Sequence, residues 1–121
     1  MNILVVDDSE MMRGIVKQAI EENAPTTATT FFEAADGQEA LDAMRANSID
    51  LVLLDWNMPR LDGLSFVKQT RGDGMNTPII MITSITDQDK IMEAGKAGVN
   101  SYLEKPVRGI KLWEQIKEYV K

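Results

Sequence analysis

The chain is predicted to fold as an open α/β domain, a five-stranded parallel sheet wound on both faces by five helices. Three observations carry this. Short apolar runs rich in Ile, Val and Leu recur without the polar alternation of a half-exposed sheet, so both faces of these strands must be covered. Segments of helical period lie between them. Strand and helix then alternate from end to end with no linker, repeat or low-complexity stretch, which requires right-handed crossovers between parallel strands. All 121 residues are read as one domain (1–121), a length near the modal domain size.

Each element has its own signature. Ile3–Val6 is the first strand. Met12, Ile15, Val16, Ala19 and Ile20 fall at i, i+3, i+4, i+7, i+8 and predict the first helix, with Ser9 as N-cap. After a polar loop, Asn23 to Ala28, the weakest strand runs from about Thr29 to Ala34 around Phe31 and Phe32. Asp36 caps the second helix, Glu39 completes a capping-box-like pair, and Ala40, Leu41 and Met44 form its apolar face. Leu51–Leu54 is the third strand. Leu64 and Val67 begin a third helix that stops near Gly72 and Gly74. Ile79–Ile82 is the fourth strand. Ile91, Ala94, Gly95 and Gly98 mark a fourth helix whose small residues permit close approach to the sheet. Tyr102–Leu103 is the fifth strand, and Leu112, Trp113, Ile116 and Val120 face inward from the fifth helix. Five such units fit the flavodoxin-like, doubly wound strand order 2-1-3-4-5.

Composition narrows the function. Apolar residues make up 44 % and charged residues 26 %, ordinary values for a globular domain. A net charge of −6 argues against nucleic acid as partner. Without cysteine there is neither disulfide nor thiolate chemistry, which suits a cytoplasmic address. Asp7 and Asp8 interrupt the early apolar run, so no signal peptide or membrane insertion is expected. The eight methionines read as adaptable core filler and Trp56 as a partly buried aromatic.

The chemistry lies at the strand ends. The first strand runs into Asp7-Asp8, the third into Asp55, the fourth into Thr83, and the fifth through Glu104 into Lys105-Pro106. In open α/β sheets ligands bind outside these carboxyl ends. Taken singly, each residue has an ordinary reading: a helix-start turn for Asp7-Asp8, a strand-end hydroxyl for Thr83, a solvated lysine for Lys105. In the strand order above, however, the first and third strands are neighbours and three carboxylates converge. Such anions repel unless protonated or neutralised, and a hard divalent cation is the economical answer. A carboxylate nucleophile, a cation, a hydroxyl and an ammonium are what phosphoryl transfer to Asp requires.

With Val5-Val6-Asp7-Asp8-Ser9, Asp55-Trp56-Asn57-Met58-Pro59, Asp62-Gly63, Ile82-Thr83-Ser84 and Lys105-Pro106 in these places, the chain resembles the response-regulator receiver family over essentially its whole length. Within that family it is similar to the single-domain chemotaxis regulators. The resemblance implies that Asp55 accepts a phosphoryl group from a histidine kinase. It implies that Asp8 binds Mg²⁺ directly, Asp7 chiefly through water, and Asn57 through its backbone carbonyl. Lys105 would pair with the phosphoryl group, Thr83 would move to hydrogen-bond it, and Tyr102 would swing inward. That change would pass to the surface of the fourth helix, fifth strand and fifth helix, where a downstream effector binds, the flagellar motor switch being one such partner. The Lys105-Pro106 bond is expected to be cis. A monomer is implied, and no enzyme beyond catalysis of its own phosphorylation and dephosphorylation.

Other classes fit less well. An aspartyl-nucleophile phosphatase of the haloacid dehalogenase type places its nucleophile on the first strand with a second Asp two residues later, where Ser9 stands here. An FMN binder would meet repulsion from Asp7-Asp8, and a phosphohistidine carrier needs the histidine this chain lacks. A receiver in a phosphorelay, or one belonging to a longer regulator, remains the alternative. Because the chain stops directly after its fifth helix, a stand-alone regulator is expected. Ile85, where the chemotaxis regulators carry a glutamate, and Gln88, Arg60 and Leu61 depart from their pattern. Ile85 offers no acceptor to an attacking water, so slow self-dephosphorylation is expected.

Overall fold

The computed structural model describes residues 1–23, 29–106 and 109–119. Along the chain run β1 (Asn2–Val6), α1 (Glu10–Asn23), β2 (Thr30–Ala34), α2 (Gly37–Ala46), β3 (Leu51–Leu54), α3 (Gly63–Gly72), β4 (Ile79–Thr83), α4 (Gln88–Ala97), β5 (Ser101–Glu104) and α5 (Gly109–Ile116). The strands pair in parallel in the order β2-β1-β3-β4-β5, as predicted.

Two-faced burial explains the uninterrupted apolar runs. Successive strand residues point to opposite faces. Leu4, Val6, Val52, Leu54, Ile79 and Met81 join the core with Phe66, Val67 and Ala94 under α2, α3 and α4. Ile3, Val5, Leu51, Leu53, Ile80 and Ile82 join the one with Val16, Ile20, Leu112 and Ile116 under α1 and α5. Phe31 and Phe32, on an edge strand, are half-buried and pack one against each core.

Caps set the helix starts that point at the strand ends. Ser9 Oγ accepts the Met12 N–H at 3.2 Å. Asp36 accepts from the Glu39 N–H at 2.8 Å, while Glu39 reaches back to the Ala35 N–H, one residue before the usual capping-box donor. Asp62 caps α3 and Asp87 caps α4 in the same way.

Several side chains lie elsewhere than expected. Ile15 stands outside the buried stripe of α1 at 41 % exposure, because Val16, Ala19 and Ile20 already fill the contact with the sheet. Met11 and Met92 are surface residues, unlike Met44 and Met81. Gly95 faces open space and permits no close approach; Gly98 instead ends α4 in the left-handed conformation, φ 117°. Trp56 is buried, not partly exposed. Val120 and the loop residues 24–28 lie outside the described residues. No described helix is long and apolar enough to cross a membrane.

Candidate functional site

The register of β1 on β3 pairs Val6 with Leu54, so the next residue of each strand, Asp7 and Asp55, emerges at the same level of the sheet. The Asp55 N–H still bonds to the Val6 carbonyl at 2.9 Å and the Asp7 N–H to that of Ala34 at 3.1 Å, which holds both backbones to the sheet. Both side chains are buried and Asp8 is exposed. One oxygen of each of the three lies within 4.8 Å of the others, a set of hard donors suited to a hard divalent cation.

Lys105 follows β5, where its N–H donates to the Thr83 carbonyl at 2.9 Å. Its ammonium reaches Asp7 Oδ2 at 3.2 Å and Asp55 Oδ2 at 3.6 Å. The Lys105–Pro106 peptide is cis, as expected. One ammonium thus faces three carboxylates, and the cluster keeps a net negative charge. Burial pushes the Asp55 carboxyl above its ordinary pKa; Lys105 opposes this, and the charge of Asp7 adds to it. The other Asp55 oxygen, Oδ1, is held by the Trp56 N–H at 2.8 Å.

A stability effect follows from the raised pKa of Asp55. The native state keeps this proton to higher pH than the unfolded chain does. The associated stability is therefore complete below the unfolded carboxylate pKa and lost as pH rises through the folded value. In metal-free buffer, Asp55→Asn should unfold at a higher temperature than wild type at pH 7. The gap should close as the pH falls below the ordinary carboxylate range. A variant less stable than wild type at pH 7 would show that Asp55 stabilises the fold as an anion.

On the other flank, Thr83 is fully buried and its Oγ1 accepts the Ile85 N–H at 3.3 Å. Tyr102 is half-buried, and its hydroxyl donates to the carbonyl of the same Ile85. Burial, and next the charge of Glu104, push the phenol up, while a hydrogen bond with Thr83 pulls it down. Tyr102 is thus held at the Ile85 carbonyl, beside Thr83. Ile85 packs half-buried against the core and contributes no acceptor at this position. Asn57 sits exposed two residues beyond Asp55.

Comparison with known proteins agrees with this geometry. Residues 3–117 match the family model described as "Response regulator receiver domain". The chain belongs to the response-regulator receiver family. The receiver domain is 36 % identical to the chemotaxis protein CheY of Pseudomonas aeruginosa over 120 residues, covering 98 % of this chain and 94 % of that protein. It is 37 % identical to chemotaxis protein CheY-3 of Vibrio cholerae, covering 96 % and 88 %. Among solved structures, it is similar to the receiver domain of Francisella response regulator 1452, with a TM-score of 0.88, 32 % identity and coverage of 98 % and 95 %. The Vibrio cholerae chemotaxis protein CheY4 superposes with a TM-score of 0.86 at 31 % identity, covering 98 % and 97 %.

Asp7, Asp8, Asp55, Lys105, Thr83 and Tyr102 therefore converge at one end of the sheet of this receiver domain. Sequence reasoning missed Arg13. Its guanidinium donates to the Asp7 carbonyl at 2.6 Å and bonds Glu33 at 3.0 Å, tying α1 and β2 to the strand end that carries the acidic pair. A basic residue one turn into the helix after Asp7-Asp8 was the available signal.

Proposed function

We propose that this receiver domain is a phosphorylation-driven switch: Asp55 accepts a phosphoryl group from a histidine kinase in the presence of Mg²⁺, and this switches the α4-β5-α5 surface to bind an effector. The observation that carries this reading is the meeting of three carboxylates and one ammonium at the ends of adjacent parallel strands. Asp7, Asp8, Asp55 and the Asn57 carbonyl would hold Mg²⁺. Bound there, the ion supplies positive charge to the oxygens of the transferring phosphoryl group.

This chain's residues then divide the work. Asp55 Oδ2, the oxygen not engaged by Trp56, attacks phosphorus and the donor's oxygen or nitrogen leaves with the bonding pair. Lys105 shifts from the carboxylates to the new phosphoryl oxygens. The Thr83 hydroxyl turns from the Ile85 N–H to the same oxygens, and Tyr102, bonded to the Ile85 carbonyl, feels the change. The relatives' names favour a chemotaxis output, with the flagellar motor switch as the effector to test. The departures at Ile85 and Gln88 favour a second reading, a phosphorelay or a longer regulator with its own output domain.

Cation binding is testable by fluorescence. Trp56 is buried beside Asp55, so Mg²⁺ should alter its emission, read in a Trp113→Phe background where it is the one indole left. Asp8→Ala should weaken that response more than Asp7→Ala, because direct ligation contributes more than contact through water. Equal losses, or the reverse order, would exclude this division of ligands.

Coupling has its own test. Thr83→Ala should still take up phosphate at Asp55 yet leave the amide shifts around Tyr102 and β5 unchanged on phosphorylation. A normal response of those amides in the variant would place the coupling elsewhere.

A further inference from the structure

The loop between β3 and α3 carries Asn57 and is fastened at three points. Its ends are closed by the Gly63 N–H on the Trp56 carbonyl at 2.8 Å. Its far side is bonded to α2 by the Gly37 N–H on the Leu61 carbonyl at 3.0 Å. A β-carbon at Gly37 would strike that carbonyl, and one at Gly63 would strike the Asp55 carbonyl, so both approaches are as close as backbone allows. The third fastening is a side chain. Arg60 Nε lies 2.8 Å from Asp36 Oδ2, with a second guanidinium nitrogen 3.9 Å from Glu39.

Arg60 is also the one non-glycine residue with positive φ among the described residues, at 64°. The Leu61 N–H bonds back to the Pro59 carbonyl at 2.7 Å across it, a tight reversal. A residue with a β-carbon is held in this region at a cost, and persists there when its surroundings over-determine it. Here the surroundings include a buried partner. Asp36 is 6 % exposed and uses its other oxygen to cap α2. The Arg60 hydrogen bond holds its carboxyl below the usual range.

We infer that Arg60 is a positioning residue: its ion pair with Asp36 fixes the loop that presents Asn57, and so sets the affinity of the site for Mg²⁺. The inference rests on the metal reading above. It also makes an unusual demand on sign. Removing the cation Arg60 from the neighbourhood of a cation site should, through space, strengthen Mg²⁺ binding; removing the anion Asp36 should weaken it. If the pair acts by holding the loop, both losses weaken binding.

The test is Mg²⁺ titration of Trp56 fluorescence in the Trp113→Phe background. Arg60→Asn removes the charge while keeping a residue that tolerates positive φ. Asp36→Asn removes the charge while keeping an equally good N-cap. Each should weaken Mg²⁺ by about three- to tenfold, less than the ~10–100-fold that follows loss of a group bonded directly to a ligand. The double variant should be no weaker than the singles. Arg60→Lys, which keeps the cation, should recover affinity toward wild type. Denaturant midpoints of all variants, measured without metal, separate loss of folded protein from loss of affinity. Tighter Mg²⁺ binding in Arg60→Asn, or equal affinity in all variants, overturns the inference and leaves the metal reading standing. A wild type with no Mg²⁺ response overturns both.

Discussion

Asp55→Asn will take up no phosphoryl group from acetyl phosphate, where the wild type gains it only with Mg²⁺ present. The reason lies in how the two Asp55 oxygens are used. Oδ1 is occupied by the Trp56 N–H at 2.8 Å, whereas Oδ2 faces the Lys105 ammonium at 3.6 Å and is the proposed nucleophile. In the variant, the amide oxygen keeps the Trp56 bond, because a nitrogen there would oppose donor to donor. The amide NH₂ therefore replaces the nucleophile and meets an ammonium. Asp7 and Asp8 remain as carboxylates, so the experiment discriminates among the acceptors. Intact-mass measurement of the variant against wild type decides it. Incorporation equal to wild type would mean that another carboxylate is the acceptor.

The second large effect is expected at Lys105. Its ammonium is the one cation the described structure places against Asp7 and Asp55, and it spans both. Lys105→Ala removes the ammonium paired with the Asp7 and Asp55 carboxylates. Mg²⁺ should then bind more tightly, since a competing cation is gone, while phosphorylation slows by roughly 10²-fold, the scale of losing one aimed charge in a transition state. The two effects have opposite sign, whereas a merely unfolded variant would lose phosphorylation without gaining Mg²⁺ affinity. The opposed readouts are the Trp56 titration and the rate of mass gain at saturating Mg²⁺. Unchanged phosphorylation in the presence of tighter Mg²⁺ would remove Lys105 from the transfer step.

Much of this was legible beforehand because parallel sheets write their burial into the chain. Strands covered on both faces are continuously apolar, so the polar residue that ends each run stands out: Asp7, Asp55, Thr83 and, past Glu104, Lys105. The alternation of elements fitted this strand order, and the order alone made neighbours of Asp7 and Asp55, which are 48 positions apart. Helix faces were less legible. Periodicity placed Ile15 with Val16, Ala19 and Ile20, yet the contact with the sheet is filled without it. Gly95 and Gly98 looked alike as small residues, and only backbone geometry separates an exposed helical glycine from a left-handed cap.

What the sequence by itself determined was the sheet, its helices and the set of groups at the strand ends, since these rest on local periodicity and on apolar runs that must be buried. What the tertiary structure alone decided were the contacts between those groups and residues distant in the chain. The bond of Tyr102 to the Ile85 carbonyl and the Arg60–Asp36 pair each join groups whose meeting no spacing announces. The physical reason is range. Propensity and periodicity act over a few residues, whereas a hydrogen bond needs its two ends within about 3 Å, and that is settled only when the whole sheet and its loops have packed.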